Sequence, residues 1–288
     1  MARRSSMKPG DPFLKWAGGK RKVVPRLREH LPQHFGTYHE PFLGGGALFF
    51  RLAALTRPPF GGVVLGDGNE RLMRCYQAVR DDVEQVIRLL ELYTAAHSEP
   101  FFYALRSMDV DMGSDYEVAA WLIYLNRTAF NGLYRVNSKG GFNVPFGKYV
   151  NPVVCHADHL RTCSELLAQV ELRHEGFEAV LERAEPNDAV YFDPPYVPRS
   201  DTASFTAYTR GGFGPEQQAR LRTVAMELAQ RGVTVILSNH DVPEVRELYP
   251  KSHFDLRVVP VARAINSAGA KRGKVKELVI VARGSANG

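Results

Sequence analysis

The residues best suited to chemistry form one short run, Asp193-Pro194-Pro195-Tyr196. Asp193 offers an anionic acceptor, the prolines leave carbonyls that have no competing N–H groups, and Tyr196 adds an aromatic face. Such a group suits a planar amine that is held by two acceptors and stacked on one side. The alternative is an ordinary Pro-Pro turn beside a surface aromatic, and four residues alone do not exclude it.

This run follows Ala189-Val190-Tyr191-Phe192, an apolar stretch that predicts a buried strand. Two consecutive prolines end the strand, because neither can donate to a ladder and each restricts the residue before it. Open α/β sheets bind their ligands at the carboxyl ends of their strands. The sequence therefore predicts a rigid corner at a ligand-binding edge.

A first glycine turn, Gly18-Gly19, has Trp16 and Lys20 on either side, and a basic amphipathic stretch follows to about residue 31. Glycine backbone N–H groups at the start of a helix suit an anion. The alternative is a plain loop with a core tryptophan. A P-loop is not supported, because Lys20 is followed by Arg21 rather than by serine or threonine.

A second glycine turn, residues 44–46, lies between a predicted strand ending near Glu40 and an apolar helix to about residue 55. Strand, glycine turn and helix bring the backbone close to a nucleotide-like ligand. Leu48 and Phe49 stand where a third glycine would fall, so dinucleotide binding is disfavoured, whereas S-adenosylmethionine remains suited.

Asp67 follows a second predicted strand, residues 63–65. An acidic residue there can accept hydrogen bonds from ribose hydroxyls, but it could equally cap the next helix. Phe177, near a third predicted strand at 170–173, is either a wall of the cofactor site or a core aromatic.

Residues 70–129 have a helical pattern, which suggests a helical insertion in an α/β domain. The recognition segment, residues 126–149, follows and is rich in glycine, asparagine and aromatic residues, which predicts a hairpin or long loops. Its interleaved cations suit phosphate binding, base-edge readout and stacking. They are Arg127, Arg135, Lys139 and Lys148. The alternative is a solvated glycine-rich loop.

Beyond the Asp193 run, residues 197–214 form a long polar segment, and we expect this segment to close over a substrate. Residues 215–230 predict a helix with proline near its start, and residues 233–237 and 278–281 predict strands. The basic run 263–276 is by default a solvated loop, with nucleic-acid contact as the alternative.

The chain has 288 residues, enough for one large domain or for one domain with a second inserted. A formal net charge of +6 permits a nucleic-acid partner without proving one. No apolar stretch approaches the ~20 residues of a membrane span, and the basic N-terminus lacks a signal-peptide segment, so we expect no membrane association and no export. The three cysteines form neither a paired framework nor a metal spacing.

Together, these segments resemble the DNA adenine-N6 methyltransferases of the Dam type. The motifs that agree are residues 13–20, 40–46, 126–149 and 193–196, with Ser204-Phe205-Thr206-Ala207-Tyr208 downstream. The resemblance implies an α/β fold in which a Rossmann-like methyltransferase sheet has helices on both faces, with an inserted, mostly helical target-recognition region that contains a hairpin. We expect residues 1–70 and 155–288 to form the catalytic S-adenosylmethionine-dependent domain and residues 71–154 the inserted DNA target-recognition domain.

The resemblance and the residue patterns above together give expected roles for individual residues. The resemblance itself covers Trp16, Lys20, Asp67 and Asp193 for the cofactor, and Lys15, Phe130, Asn131, Leu133, Arg135 and Pro145 for DNA. The catalytic set is Asp193, Pro194 and Tyr196. The cofactor set is Trp16, Lys20, Glu40, Phe42, Gly44, Asp67, Phe177 and Asp193. The DNA set is Lys15, Arg127, Phe130, Asn131, Leu133, Arg135, Pro145 and Lys148, with Phe130 placed to wedge between bases.

Three details depart from the family pattern: Phe130 replaces a frequent tyrosine, Lys148 replaces a common arginine, and Gly68 makes the turn after Asp67 unusual. Arginine presents a planar fork of hydrogen-bond donors, whereas lysine presents a single compact charge. These differences therefore affect the stringency of target recognition more than the methyl-transfer chemistry.

The expected reaction is methyl transfer from S-adenosylmethionine to the N6 amine of a flipped adenine in double-stranded DNA, within GATC. The alternatives are a cofactor-binding DNA regulator without catalysis, or methylation of cytosine N4, RNA adenine or a glutamine amide. We expect no metal, a cytoplasmic, DNA-associated enzyme of a bacterium, archaeon or phage, and a monomer rather than an oligomer. A cognate restriction nuclease is a candidate partner.

Overall fold

The computed structural model describes residues 7–16, 18–197, 213–261 and 275–284. The chain forms two compact units. The first comprises residues 1–19, 44–58 and 69–172, and the second comprises residues 20–43, 59–68 and 173–288. These units follow the packing of the chain and divide it at residues other than 70 and 155, so the division into catalytic and recognition domains stays a prediction.

A seven-stranded sheet organises the fold, in the order β3-β2-β1-β4-β5-β7-β6. Its strands are β1 (Phe35–Glu40), β2 (Phe60–Asp67), β3 (Glu171–His174), β4 (Ala189–Phe192), β5 (Thr234–His240), β6 (Phe254–Val261) and β7 (Val275–Ala282). Strands β2, β1, β4 and β5 are parallel, whereas β7 is antiparallel to both of its neighbours. The mixed α/β fold expected from the sequence is confirmed.

The described α-helices are α1 (Val24–Arg28), α2 (Ala47–Ala53), α3 (Glu70–Asp81), α4 (Val83–Ala95), α5 (Glu99–Ser107), α6 (Asp115–Thr128), α7 (Ala157–Leu167), α8 (Pro215–Gln230) and α9 (Pro243–Leu248). Five of them, α3 to α7, follow one another between β2 and β3, and the others lie before, between or after single strands. Short 3-10 helices cover Val110–Met112, Phe130–Gly132 and Phe177–Glu182.

The core of the second unit lies where α8 packs against the sheet. Val190 and Phe192 of β4, Leu221 of α8 and Leu278 of β7 are buried in one cluster. All four residues of β4 are buried, as expected for a strand with neighbours on both sides. Helix α8 begins at Pro215, as predicted, because proline fits the first helical position.

The first unit is built around α6, which is buried on nearly every side. Helices α3, α4 and α5 pack against it, so the predicted helical character of residues 70–129 is confirmed. Asn69 caps α3 by accepting a hydrogen bond from the backbone N–H of Leu72 at 3.3 Å. The alternative that Asp67 caps this helix is therefore wrong, and Asp67 is the last residue of β2.

The recognition segment pairs with itself at two isolated antiparallel bridges, Val136 with Phe142 and Ala129 with Phe146. Asn131 and Lys148 have positive φ angles of 56° and 54°, which interrupt regular strands. The predicted hairpin is thus present as two single bridges within long loops.

Strand β6 and helices α7 and α9 were not expected from the sequence. Proline within a run argues against a strand, yet Pro260 is tolerated because β6 lies at the edge of the sheet. The segment expected to close over a substrate and the basic run 263–276 lie mostly outside the described residues, as does the motif at 204–208. No helix in the described ranges is long and apolar enough to cross a membrane.

Candidate active site

Three carboxylates lie at one edge of the sheet in the second unit. Glu40 ends β1, Asp67 ends β2, and Asp193 directly follows β4. These strands are parallel neighbours, so their carboxyl ends meet at the same edge. This is the edge at which the sequence predicts ligand binding.

Asp193 forms an ion pair with Lys20, whose Nζ lies 3.0 Å from Oδ1 of the carboxylate. Lys20 is almost fully buried, with 3% of its surface exposed. Burial raises the pKa of Asp193 to about 6, while Lys20 opposes this shift and the negative charge of Glu277 adds to it. Asp193 is therefore mostly ionised at neutral pH.

Tyr196 is held on several sides. Its hydroxyl donates a hydrogen bond to Oε2 of Glu277 at 3.2 Å, and its ring meets His240 edge to face at 4.7 Å between centroids. The Lys20 ammonium lies 4.4 Å from the centre of the ring. Burial, with the charges of Asp193 and Glu277, raises the pKa of Tyr196 well above its usual value. The ring is thus neutral and fixed in orientation.

Two buried amides hold the backbone of residues 193–197, which we call the acceptor corner. Gln218 of α8 donates to the Pro195 carbonyl at 2.8 Å, and Asn239 of β5 accepts from the Val197 N–H at 3.2 Å. Asn239 also donates to Gln218 at 3.2 Å, which links the two supports. Sequence reasoning missed both, because Gln218 lies among other polar residues of its helix and Asn239 lies beyond the strand predicted at 233–237.

Glu40 is buried and accepts a hydrogen bond from the Tyr38 hydroxyl at 2.9 Å. Phe42 stacks on Phe177 at 5.4 Å between centroids. Phe177 is buried in the core cluster, whereas Phe42 is partly exposed. Phe177 therefore packs against Phe42, and its role in cofactor binding stays a prediction.

In the first unit, Trp16 and Gly44 lie side by side. A Cβ atom on Gly44 would come within 2.7 Å of Trp16 Cδ1, and the φ angle of Gly44 is 48°. Both facts require glycine here. Trp16 also stacks on Tyr134 with 5.2 Å between centroids and 23° between ring planes.

The Asn126 side chain forms two hydrogen bonds with the backbone of Lys15, the first of the predicted DNA-reading residues. This amide accepts from the Lys15 N–H at 2.9 Å and donates to the Lys15 carbonyl at 2.6 Å. The same amide donates to Gly132 at 3.1 Å, so Lys15 lies beside the turn at 130–132. Partial desolvation and nearby Arg127 lower the pKa of the Lys15 ammonium. The supporting role of Asn126 was not predicted.

The remaining predicted DNA residues have different surroundings. Phe130 is 45% exposed, and its backbone N–H donates to Pro145 at 2.9 Å. Arg127 donates to the Phe13 carbonyl at 2.6 Å. Arg135 is exposed and donates to the side-chain oxygen of Asn143 at 2.7 Å. Asn131 and Leu133 are half-buried, and Lys148 is exposed.

The donor set fits the predicted cofactor. The strand-end carboxylates of the second unit suit ribose hydroxyls and a cationic sulfonium, and the exposed part of Phe42 suits an adenine ring. In the first unit, Gly44 permits close approach of a ligand to the backbone beside Trp16. Within the described ranges no group of three or more His, Cys, Asp or Glu residues could hold a metal ion.

Comparison with known proteins places this geometry in context. The family model described as "D12 class N6 adenine-specific DNA methyltransferase" matches residues 16–265. The chain is 39% identical over 280 residues to the Type II methyltransferase M1.LlaDCHI of Lactococcus lactis subsp. cremoris, covering 95% of this chain and 96% of that one. It is 36% identical over 275 residues to the DNA adenine methylase of Escherichia coli strain K12, covering 95% of each.

A search of solved structures found, among others, the rRNA methyltransferase aviRa from Streptomyces viridochromogenes. The match covers 96% of this chain and 88% of that one, with 16% identity and a TM-score of 0.36.

Proposed function

Since this chain belongs to the D12 class of N6 adenine-specific DNA methyltransferases, we propose that it methylates adenine within GATC after rotating the base out of the duplex. The chain is an enzyme that acts on DNA, and S-adenosylmethionine is its cofactor. The observation that carries the proposal is the acceptor corner, where a largely ionised Asp193 follows β4 and buried amides fix the backbone beside it. The GATC assignment rests on the resemblance of the recognition segment to Dam-type enzymes.

Base rotation is required because the exocyclic amine of a stacked adenine is out of reach of a cofactor bound at a sheet edge. Extrusion costs a few kcal/mol, which contacts to phosphates and filling of the vacated space would offset. Phe130 is the candidate to fill that space, since 45% of its surface is exposed. Arg127 and Lys148 are the candidate phosphate contacts.

At the acceptor corner, the Asp193 carboxylate and the Pro194 carbonyl accept the two N–H groups of the amine. Gln218 already donates to the Pro195 carbonyl, which assigns the second acceptor to Pro194. Tyr196 stacks against the base. Holding both N–H groups directs the nitrogen lone pair out of the purine ring, and positioning of this kind can contribute ~7–11 kcal/mol in favourable systems.

S-adenosylmethionine, when bound, supplies an electrophilic methyl group. Asp193 need not be a strong base, because the amine proton becomes acidic only as the new N–C bond forms. We assign cofactor binding to Trp16, Lys20, Glu40, Phe42, Gly44, Asp67, Phe177 and Asp193. The Lys20 ammonium, paired with Asp193, also keeps that carboxylate ionised.

Sequence recognition is assigned to Lys15, Asn131, Leu133, Arg135 and Pro145. Asn126 supports this assignment, because it joins the backbone of Lys15 to the turn that carries Asn131. Residues 71–154 are the proposed target-recognition domain. The recognition of bases would then depend on side chains, while the phosphates fix the register.

We further propose a monomer in the cytoplasm, where its DNA substrate lies. One relative is named a Type II methyltransferase, which supports a cognate restriction nuclease as partner, whereas another is named simply a DNA adenine methylase. The proposal of a restriction partner is tested by comparing the restriction sensitivity of host DNA with and without the gene.

The decisive experiment incubates the purified protein with labelled S-adenosylmethionine and duplexes that contain either GATC or a scrambled site, and then identifies the methylated base. N6-methyladenine confined to GATC is the expected result. Methylation of adenine at other sequences would overturn the GATC assignment and leave the chemistry intact. A fluorescent adenine analogue at the target position tests rotation, because unstacking should raise its emission.

A further inference from the structure

Tyr134 lies within the recognition segment, between two proposed DNA-reading residues, Leu133 and Arg135. Its side chain does not point to solvent, because only 6% of its surface is exposed. Instead the ring stacks on Trp16, a proposed cofactor residue, at 5.2 Å. One side chain thus touches a cofactor residue while its own backbone continues into both reading residues.

The ring contacts continue into the interior of the recognition segment. Tyr134 meets Phe142 edge to face at 5.8 Å, and Phe142 meets Trp121 of α6 at the same distance. Phe142 also forms the isolated bridge with Val136. Tyr134 is therefore packed between Trp16 on one side and the bridge of the segment on the other.

A second set of contacts holds the segment at Gly140. The Arg71 guanidinium lies 5.3 Å from the Trp121 ring and donates to the Gly140 carbonyl at 2.7 Å. The same guanidinium donates to both carboxylate oxygens of Asp111, at 2.6 and 2.7 Å. Packed rings and a multiply bonded arginine transmit displacement well, because close-packed interiors have low compressibility.

We infer that Tyr134 is a positioning residue through which a cofactor seated against Trp16 orders Leu133 and Arg135 and so sharpens the choice of DNA sequence. The inference rests on the proposed roles of Trp16 and Arg135. Ordering of Trp16 restricts the stacked Tyr134 ring, and with it the backbone that carries the reading residues. By linkage, the factor by which the cofactor increases the affinity for cognate DNA must equal the factor by which cognate DNA increases the affinity for the cofactor.

The test measures DNA affinity by fluorescence anisotropy, with and without saturating S-adenosylhomocysteine, so that no turnover interferes. Two duplexes are compared: one contains the recognised site and the other differs by one base pair. For the wild-type protein we expect S-adenosylhomocysteine to increase the ratio of the two affinities about fivefold or more, the lower range of ordinary coupling.

In Tyr134→Leu, S-adenosylhomocysteine should leave the ratio of the two DNA affinities nearly unchanged. Tyr134→Phe should retain the wild-type increase. Both variants lose the hydroxyl, so the difference between them reports the stacked ring. Phe142→Leu removes the support behind Tyr134 without touching Trp16, and we expect an intermediate loss. Circular dichroism checks folding, and Tyr134→Met replaces Tyr134→Leu if the latter does not fold.

An increase that survives in Tyr134→Leu would overturn the inference, and so would a wild-type protein whose discrimination does not respond to S-adenosylhomocysteine. Trp16→Ala separates this failure from a failure of the proposed function. If Trp16→Ala binds S-adenosylhomocysteine as well as wild type in the absence of DNA, the cofactor role of Trp16 is wrong. If its binding is weaker but Tyr134→Leu still shows the increase, only the coupling is wrong.

Discussion

The acceptor corner and the recognition segment are fixed by different means. The corner follows a strand with parallel neighbours on both sides, and two buried amides bind its backbone. The recognition segment pairs with itself at two isolated bridges and carries positive φ angles at Asn131 and Lys148. The supports of the corner are hydrogen bonds from a helix and a strand of the sheet, whereas the segment is held by ring stacking on Trp16 and by a hydrogen bond from Arg71 to Gly140.

This difference matches the demands of the two tasks. Methyl transfer requires acceptors placed to within a fraction of an ångström, so each group needs a rigid support. The proposed base reading would depend on exposed side chains, such as Arg135, that can be exchanged without disturbing the sheet. We therefore expect substitutions in the corner to reduce turnover on every sequence and substitutions in the segment to change which sequence is used.

The largest effect is expected for Asp193→Ala. Loss of the anionic acceptor should lower kcat about 10³-fold or more, by analogy with the loss of one electrostatic contact in other active sites. DNA affinity should change little, because Asp193 makes no proposed phosphate contact. Single-turnover methylation and DNA binding measure the two quantities.

Asp193→Asn is the matched control, because it preserves the shape of the side chain while it removes the charge. Its melting temperature shows whether loss of the ion pair between Lys20 and Asp193 destabilises the fold. Turnover near the wild-type value in Asp193→Ala would remove Asp193 from the mechanism.

A smaller loss, about 10²-fold in kcat, is expected for Gln218→Leu. The substitution removes the donor to Pro195 and the partner of Asn239, and misplacement by about 1 Å can cost this much. Thr223→Ala, on the exposed face of the same helix, is the control. If Gln218→Leu changed sequence preference instead of turnover, the contrast between the two regions would fail.

Arg135→Ala tests the recognition segment. Loss of a bidentate guanine contact should reduce discrimination at one base pair by about 1–3 kcal/mol, with a smaller effect on kcat. Specificity constants on duplexes that differ at single positions provide the measurement, and Lys139→Ala is the control in the same segment. An equal loss on all sequences would make Arg135 a phosphate contact.

The smallest effect at neutral pH concerns Lys20. Protonation of Asp193 removes an acceptor, so kcat/KM should fall as the pH decreases through about 6, the pKa of this group. Lys20 lowers that pKa, so Lys20→Met should raise it and move the acid limb to higher pH. The profile is recorded at saturating cofactor with Lys22→Met as the control. A limb that stays in place or moves to lower pH would contradict the proposed pairing.

Local sequence predicted the elements that present the chemistry. The apolar run before Asp193 is β4, and the helix expected at 215–230 has those bounds in the structure. Both have strong local signals, a buried apolar stretch ended by prolines and a helical period that starts at proline. The family resemblance suggested roles for individual residues, which hydrophobic periodicity alone cannot indicate.

The supports of the site could not be predicted, because each joins residues far apart in sequence. Lys20 pairs with Asp193, Asn126 clasps Lys15, and Gln218 meets Asn239 only after the chain has folded. Sequence alone shows a buried polar residue as an exception to an apolar pattern and does not name its partner. The incorrect assignment of Asp67 as a cap of α3 has a related origin. Local sequence rules allowed Asp67 at the start of this helix, but Asn69 is the residue that caps it.

The position of β7 has a consequence for the synthesis of the protein. This strand lies between β5 and β6, and it carries Glu277, which accepts the hydrogen bond from Tyr196. While the ribosome extends the chain, β5 and β6 emerge before β7, the strand that pairs with both. Until then, the side of β5 that faces away from β4 has no partner strand, and neither has β6. The acceptor corner therefore gains its contact with Glu277 only when residues near 280 have left the ribosome, which makes it one of the last parts of the protein to be completed during synthesis.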